Sequence, residues 1–233
     1  MNVIITGGTK GIGRAIAENL AKRGYNLCIC SRNQEDLNET KTALISINKK
    51  ITIHIMRVDV ADKNEIIDFG AFCLNVFDRV DVLVNNAGLF LPGIVHEEED
   101  GALEKMIETN LYSAYHLTRC LINNMIAQKK GYIINMASIA SFMAYPNGGS
   151  YSISKFALRG FSKVLREELK DKGIKVTTIM PGATWSNSWE GVDLPKARLM
   201  MASDIAIAVS SIFDMSPSAV IEEIILRPQL GDL

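Results

Sequence analysis

Long apolar runs are missing from this 233-residue chain; none approaches the ~18 residues that a bilayer-spanning helix needs. Cysteine is scarce, with only Cys28, Cys30, Cys73 and Cys120 and no CxxC pair among them. That excludes zinc-ribbon and dithiol redox spacings, and all four read as reduced cytosolic thiols. Cys28 and Cys30 fall at i and i+2 of one strand-like segment and so face the same side. The three histidines, His54, His96 and His116, have no carboxylate or thiol at ligand spacing, so no metal site is expected. Excess charge is also lacking. Lys and Arg number 25 against 26 Asp and Glu, a net charge of -1, which offers no cationic field for a nucleic-acid backbone. A strand-like pattern starting at Val3 leaves no room for a signal peptide, so the expected compartment is the cytoplasm, with no membrane partner.

What is present suits a packed globular protein: 48% hydrophobic and 22% charged residues, with no repeat, low-complexity tract or long linker. β-branched runs at 2–6, 26–31, 51–57, 80–84, 131–136, 174–180 and 219–226 alternate with amphipathic stretches at 11–22, 34–47, 63–77, 101–128, 150–172 and 203–213. This βαβ alternation predicts an α/β fold with a parallel sheet, one domain over 1–233. Asp62 is placed to cap the third helix, and Gly24 and Gly173 to end the first and fifth. Residues 183–201, with Trp185, Trp189, Gly191 and Pro195, follow a strand's carboxyl end and are irregular. Ligands of open α/β sheets bind at that end, so this stretch is a candidate lid.

Thr6-Gly7-Gly8-Thr9-Lys10-Gly11-Ile12-Gly13 joins the first strand to the first helix. Glycines there let the backbone pass close to a phosphate and aim helix-terminal N–H groups at it. The second strand ends Cys30-Ser31-Arg32, with no carboxylate at its tip to accept from a ribose 2′-OH. Arg32 and Lys10 instead suit a 2′-phosphate, which predicts NADP(H); the alternative gives the ribose to Glu35 or Asp36. Asp59-Val60 and Asn85-Asn86-Ala87-Gly88 close the third and fourth strands and are candidate adenine and ribose contacts.

Tyr151 and Lys155 lie one turn apart on a single helix face. A phenol has an ordinary pKa near ~10, and a neighbouring ammonium favours its ionised form. Ser138, in the loop after the fifth strand, is placed to donate to a carbonyl oxygen as hydride arrives.

Together these residues resemble the short-chain dehydrogenase/reductase family in its compact form. The resemblance rests on TGxxxGxG at Thr6 to Gly13, Asp59, Asn85-Asn86-Ala87-Gly88, Asn110 in Thr109-Asn110-Leu111, Ser138, Tyr151-xxx-Lys155 and Pro181-Gly182. It implies Tyr151 as general acid in carbonyl reduction, Ser138 orienting the carbonyl and Lys155 also holding the nicotinamide ribose. It further implies that Asn110 holds a water that links Lys155 to solvent. Gly7, Thr9, Lys10, Gly11, Ile12, Gly13, Ser31, Arg32, Asp59, Val60, Asn86, Ala87, Gly88, Tyr151, Lys155, Pro181, Gly182, Thr184 and Ser186 would contact the cofactor. Strand order 3-2-1-4-5-6-7 and a homo-oligomer, dimer or tetramer, packed through the fourth and fifth helices, are likewise implied. Thr184 and Ser186 depart from many relatives, which carry valine and threonine there. The tail from Val220 to Asp232, with Trp189, is similar to a bacterial sepiapterin-reductase-like branch; 3-oxoacyl carrier-protein reductases are the other close pattern.

The expected substrate is a small carbonyl compound. Pterin or diketone reduction, 3-oxoacyl reduction and hydroxy-amino-acid oxidation stay open. Two rivals lie outside this reading. A catalytically silent NADPH-binding sensor would lack a catalytic side chain, and an epimerase of the extended family form would need a larger carboxyl-terminal domain. The acidic run Glu97 to Asp100 reads as a solvated helix start.

Overall fold

The computed structural model describes residues 1–185 and 193–232. Seven parallel strands form one sheet: β1 (Asn2–Thr6), β2 (Asn26–Ser31), β3 (Ile53–Arg57), β4 (Val82–Asn85), β5 (Gly131–Met136), β6 (Ile174–Pro181) and β7 (Glu223–Leu226). Their order is β3-β2-β1-β4-β5-β6-β7, as the resemblance implied. Seven α-helices are described: α1 (Gly11–Lys22), α2 (Gln34–Ile47), α3 (Lys63–Val76), α4 (Ala102–Ile107), α5 (Ser113–Gln128), α6 (Gly149–Leu169) and α7 (Ala202–Ser211).

The central strands are apolar on both faces because helices cover both. Along β1, Val3 and Ile5 pack into a layer with Ile16 and Leu20 of α1, Leu44 of α2 and Val209 of α7. Ile4, between them, points the other way, to Phe69 of α3, Leu117 of α5 and Leu165 of α6. Fully burying one such side chain stabilises the fold by about 1.5–3 kcal/mol, and the two-sided pattern fixes the strand register. Cys28 and Cys30 share the second layer as expected, and all four cysteines are free thiols.

The strand order reverses between β1 and β4, the neighbours on either side of the switch. Loops leaving their carboxyl ends diverge there and open a crevice. Asn33 caps α2 by accepting from Glu35 N and Asp36 N, and Asp62 caps α3 through Asn64 N and Glu65 N.

Several expected boundaries shift. The single helix read at 101–128 is interrupted by a π-helical turn, Glu108–Tyr112, between α4 and α5; one inserted residue leaves the apolar pattern intact, so periodicity did not mark it. The last strand begins at Glu223 rather than 219 because only from there does the chain pair along β6. The first two residues read as β3, and as β4, precede the sheet. No helix among the described residues is long and apolar enough to cross a membrane.

Candidate active site

The glycine turn sits at the crevice. Gly7 adopts φ +65, a left-handed conformation that costs glycine nothing. A Cβ on Gly13 would lie 2.2 Å from the Gly7 carbonyl oxygen, so α1 approaches the turn more closely than any other residue type permits. Unlike α2 and α3, α1 starts with no side-chain cap and no acid in its first turn. Its first N–H groups therefore lack an internal acceptor and face the crevice, an arrangement suited to a phosphate. Thr6 Oγ1 accepts from Asn86 N and Ala87 N, and Asn86 Nδ2 donates to the carbonyls of Thr6 and Gly7, all at 3.0 Å. Asn86 thus braces the turn with its side-chain amide.

A cleft of about 1230 Å³ runs from this turn to the end of β6. Every described residue among the expected cofactor contacts lines it; Ser186 and Trp189 lie outside the described residues. At one end Thr9 Oγ1 donates to Ser31 Oγ at 3.0 Å, beside exposed Arg32. Lys10 Nζ lies 2.9 Å from Asp36 Oδ2, so that carboxylate is engaged by the lysine. Asp59 accepts from Ala61 N with Oδ1, which fixes its side chain at the crevice wall.

At the other end the catalytic candidates converge. Lys155 is buried and donates from Nζ to the Met136 carbonyl oxygen at 2.8 Å; burial lowers its pKa to about 8. Tyr151 sits one turn earlier on α6, with Lys155 Nζ 5.7 Å from its ring centroid. Burial pushes the phenol up to about 12, while a hydrogen bond with Ser138 pulls the other way. Burial therefore sets the direction of the shift, opposite to the lowering expected from a neighbouring ammonium. Ser138 is held by a local turn: its Oγ accepts from Ala140 N at 3.1 Å, and its own N–H donates to Ser141 Oγ at 3.1 Å. Phe90 meets the Tyr151 ring edge to face at 4.9 Å.

Asn110 lies in the π-helical turn and is buried. Its Oδ1 accepts from Leu89 N at 2.7 Å, and its Nδ2 donates to Leu89 O at 2.9 Å and Ser154 Oγ at 2.8 Å. Both amide hydrogens are spent, so a water held by this residue would use its main-chain carbonyl or the second lone pair of Oδ1.

A family profile described as short chain dehydrogenase matches residues 1–195. This chain belongs to the short-chain dehydrogenase family. An uncharacterized oxidoreductase of Staphylococcus saprophyticus is 31% identical over 225 residues, 97% of this chain and 96% of that protein. The sepiapterin reductase of Chlorobaculum tepidum is 30% identical over 239 residues, 99% of this chain and 97% of that one. Among solved structures, this short-chain dehydrogenase is similar to an alcohol dehydrogenase from the archaeon Thermococcus sibiricus complexed with 5-hydroxy-NADP. The TM-score is 0.91 at 26% identity, covering 100% of this chain and 98% of that one.

Sequence reasoning missed two features of this short-chain dehydrogenase. The ends of the candidate lid are paired: Trp185 N donates to Met200 O at 2.9 Å and Met200 N to Ala183 O at 3.1 Å. The acidic run is not a simple helix start either, because Glu98 turns away to the amino end of α6, where it accepts from Ser150 N at 2.9 Å and from the Ser150 hydroxyl. The signal was absent because the partner lies 52 positions along the chain. Among the described residues no cluster of His, Cys, Asp or Glu is arranged to hold a metal.

Proposed function

We propose that this chain is an NADP(H)-dependent carbonyl reductase with Tyr151 as its general acid. The observation that carries this reading is that Tyr151, Ser138 and Lys155 line one end of the same cleft that the glycine turn opens at the other. When bound, the cofactor supplies hydride to the carbonyl carbon. Tyr151 is protonated at neutral pH, as a phenol ordinarily is, which is the form reduction needs, and its proton passes to the carbonyl oxygen. Ser138 donates a second hydrogen bond to that oxygen. Lys155, confined by Met136, would hold the ribose hydroxyls, and their oxygens would offset the cost of burying its charge.

The glycine turn and the uncapped start of α1 would hold the pyrophosphate, with Asp59 and Val60 beside the adenine. Arg32, with Thr9 and Ser31 next to it, would hold a 2′-phosphate. Engagement of Asp36 by Lys10 leaves that carboxylate less available to a ribose hydroxyl, and the alcohol dehydrogenase structure with an NADP analogue supports the same choice. Pro181, Gly182 and Thr184 would flank the nicotinamide, and residues 183–201, of which 186–192 lie outside the described residues, would form the lid.

Exposed Tyr112, Tyr115, Phe156 and Val164 on the outer side of the α5 and α6 region support a homo-oligomer packed through that face; light scattering tests it. The cytoplasm remains the proposed location. The deciding assay follows NADPH absorbance against diacetyl, aryl ketones, sepiapterin, 3-oxoacyl thioesters and, in reverse, serine. No turnover of any of them would return the chain to the silent-sensor reading.

A further inference from the structure

α6 carries both Tyr151 and Lys155, yet its own N-cap residue, Gly148, provides no side-chain cap. The cap comes from far away in sequence. Glu98 presents both carboxylate oxygens to Ser150, the residue immediately before Tyr151. Two glycines make the space: a Cβ on Gly149 would lie 2.0 Å from Glu98 Oε1, and one on Gly93 2.5 Å from Glu98 Cγ. Gly93 N also donates to the Asn147 carbonyl at 3.1 Å, and Gly93 bridges to Gly148.

The same segment lines the catalytic end of the cleft. Leu89 is held by Asn110, Phe90 packs on the Tyr151 ring, and Glu98 closes the segment onto α6. The first turn of α6 and the wall opposite the phenol are thereby joined at both ends of residues 89–98. Charge acts in the same place. The amino end of a helix carries partial positive charge that favours an anion, here a phenolate, and a carboxylate bonded to that end offsets it.

We propose that Glu98 is a positioning residue for the reaction: its carboxylate caps the catalytic helix, seats Tyr151 against Ser138 and Phe90, and favours the protonated phenol. This rests on the reductase reading above. The other titratable groups facing the phenol are Lys155 on α6 and Tyr145 on the preceding loop; Glu97, Glu99 and Asp100 are exposed.

The test compares full-length Glu98→Ala and Glu98→Gln with wild type, using NADPH and diacetyl, or the carbonyl of the panel above that is turned over fastest. Glu98→Ala should lower kcat by roughly tenfold or more, as expected of a misplaced acid, with the Kd for NADPH within about twofold. Glu98→Gln keeps an acceptor for Ser150 N, so most of kcat should return. Its alkaline limb should fall at lower pH by about half a unit, because the lost anion no longer disfavours the phenolate. A folded Glu98→Ala with wild-type kcat and an unmoved limb overturns the proposal. If Glu98→Ala does not fold, an unmoved limb in Glu98→Gln overturns it alone. Tyr151→Phe, run alongside, separates the two failures. If it stays active, the reductase reading falls; if it is inactive while both Glu98 variants match wild type, only the role of Glu98 falls.

Discussion

Lys155 Nζ is 2.8 Å from the carbonyl oxygen of Met136, the last residue of β5. An ammonium anchored to a strand end has little freedom, so its loss should affect binding as well as rate. Lys155→Met should lower kcat and also weaken NADPH binding, by roughly tenfold or more for a lost charge-assisted hydrogen bond. Fluorescence titration of NADPH measures the binding arm, and an unchanged Kd would remove Lys155 from the cofactor site.

Tyr151→Phe keeps the ring packed on Phe90 and removes only the hydroxyl. General acid catalysis supplies about 10² to 10⁴-fold, so kcat should fall by that order while NADPH affinity stays near wild type. A folded variant retaining more than about a tenth of kcat is incompatible with Tyr151 as the acid.

That these two side chains share one face was legible in sequence, because one helical turn separates them and helix geometry puts i and i+4 together whatever the tertiary fold; their roles were implied only by the family resemblance. The glycine turn was legible for a similar reason, since its steric demands are local. The bracing role of Asn86, the π-helical setting of Asn110 and the pairing of Glu98 with Ser150 were not. Each depends on contacts between segments far apart in the chain, and local patterns carry no record of which distant backbone a polar side chain will meet. The ion pair between Lys10 and Asp36 shows the same limit, because two residues weighed as rival cofactor contacts engage each other.

The shifted values of Lys155 and Tyr151 give the cofactor-free protein opposing pH limbs. Between about 8 and the ordinary 10.5 the unfolded chain holds the Lys155 proton that the folded chain has released, so stability rises with pH, by at most ~3 kcal/mol. From the ordinary 10.0 towards about 12 the folded chain keeps the Tyr151 proton that the unfolded chain loses, so stability falls. Urea titrations should show the rising limb vanish in Lys155→Met and the falling limb shrink in Tyr151→Phe. Identical pH profiles for wild type and both variants would exclude this account.

Arg32→Ala tests cofactor choice. NADPH should bind wild type more tightly than NADH by about 1–3 kcal/mol, the scale of charge-assisted hydrogen bonds, and the substitution should erase most of that gap. Isothermal titration giving equal affinities in wild type would refute the role of Arg32.

Asn110→Ala leaves the half-buried N–H and carbonyl of Leu89 and the Ser154 hydroxyl without their side-chain partner. Chemical denaturation should report a loss of about 1–3 kcal/mol, and a variant as stable as wild type would show that water or a shifted backbone replaces the amide.

The hydrogen bonds joining Ala183 and Trp185 to Met200 also act as a clasp. They tie the chain that has just left β6 to the chain that is about to enter α7, so the exit from the sheet and the entry to that helix are set together. A change at Met200 is therefore felt at Ala183 and Thr184, on the wall of the cleft.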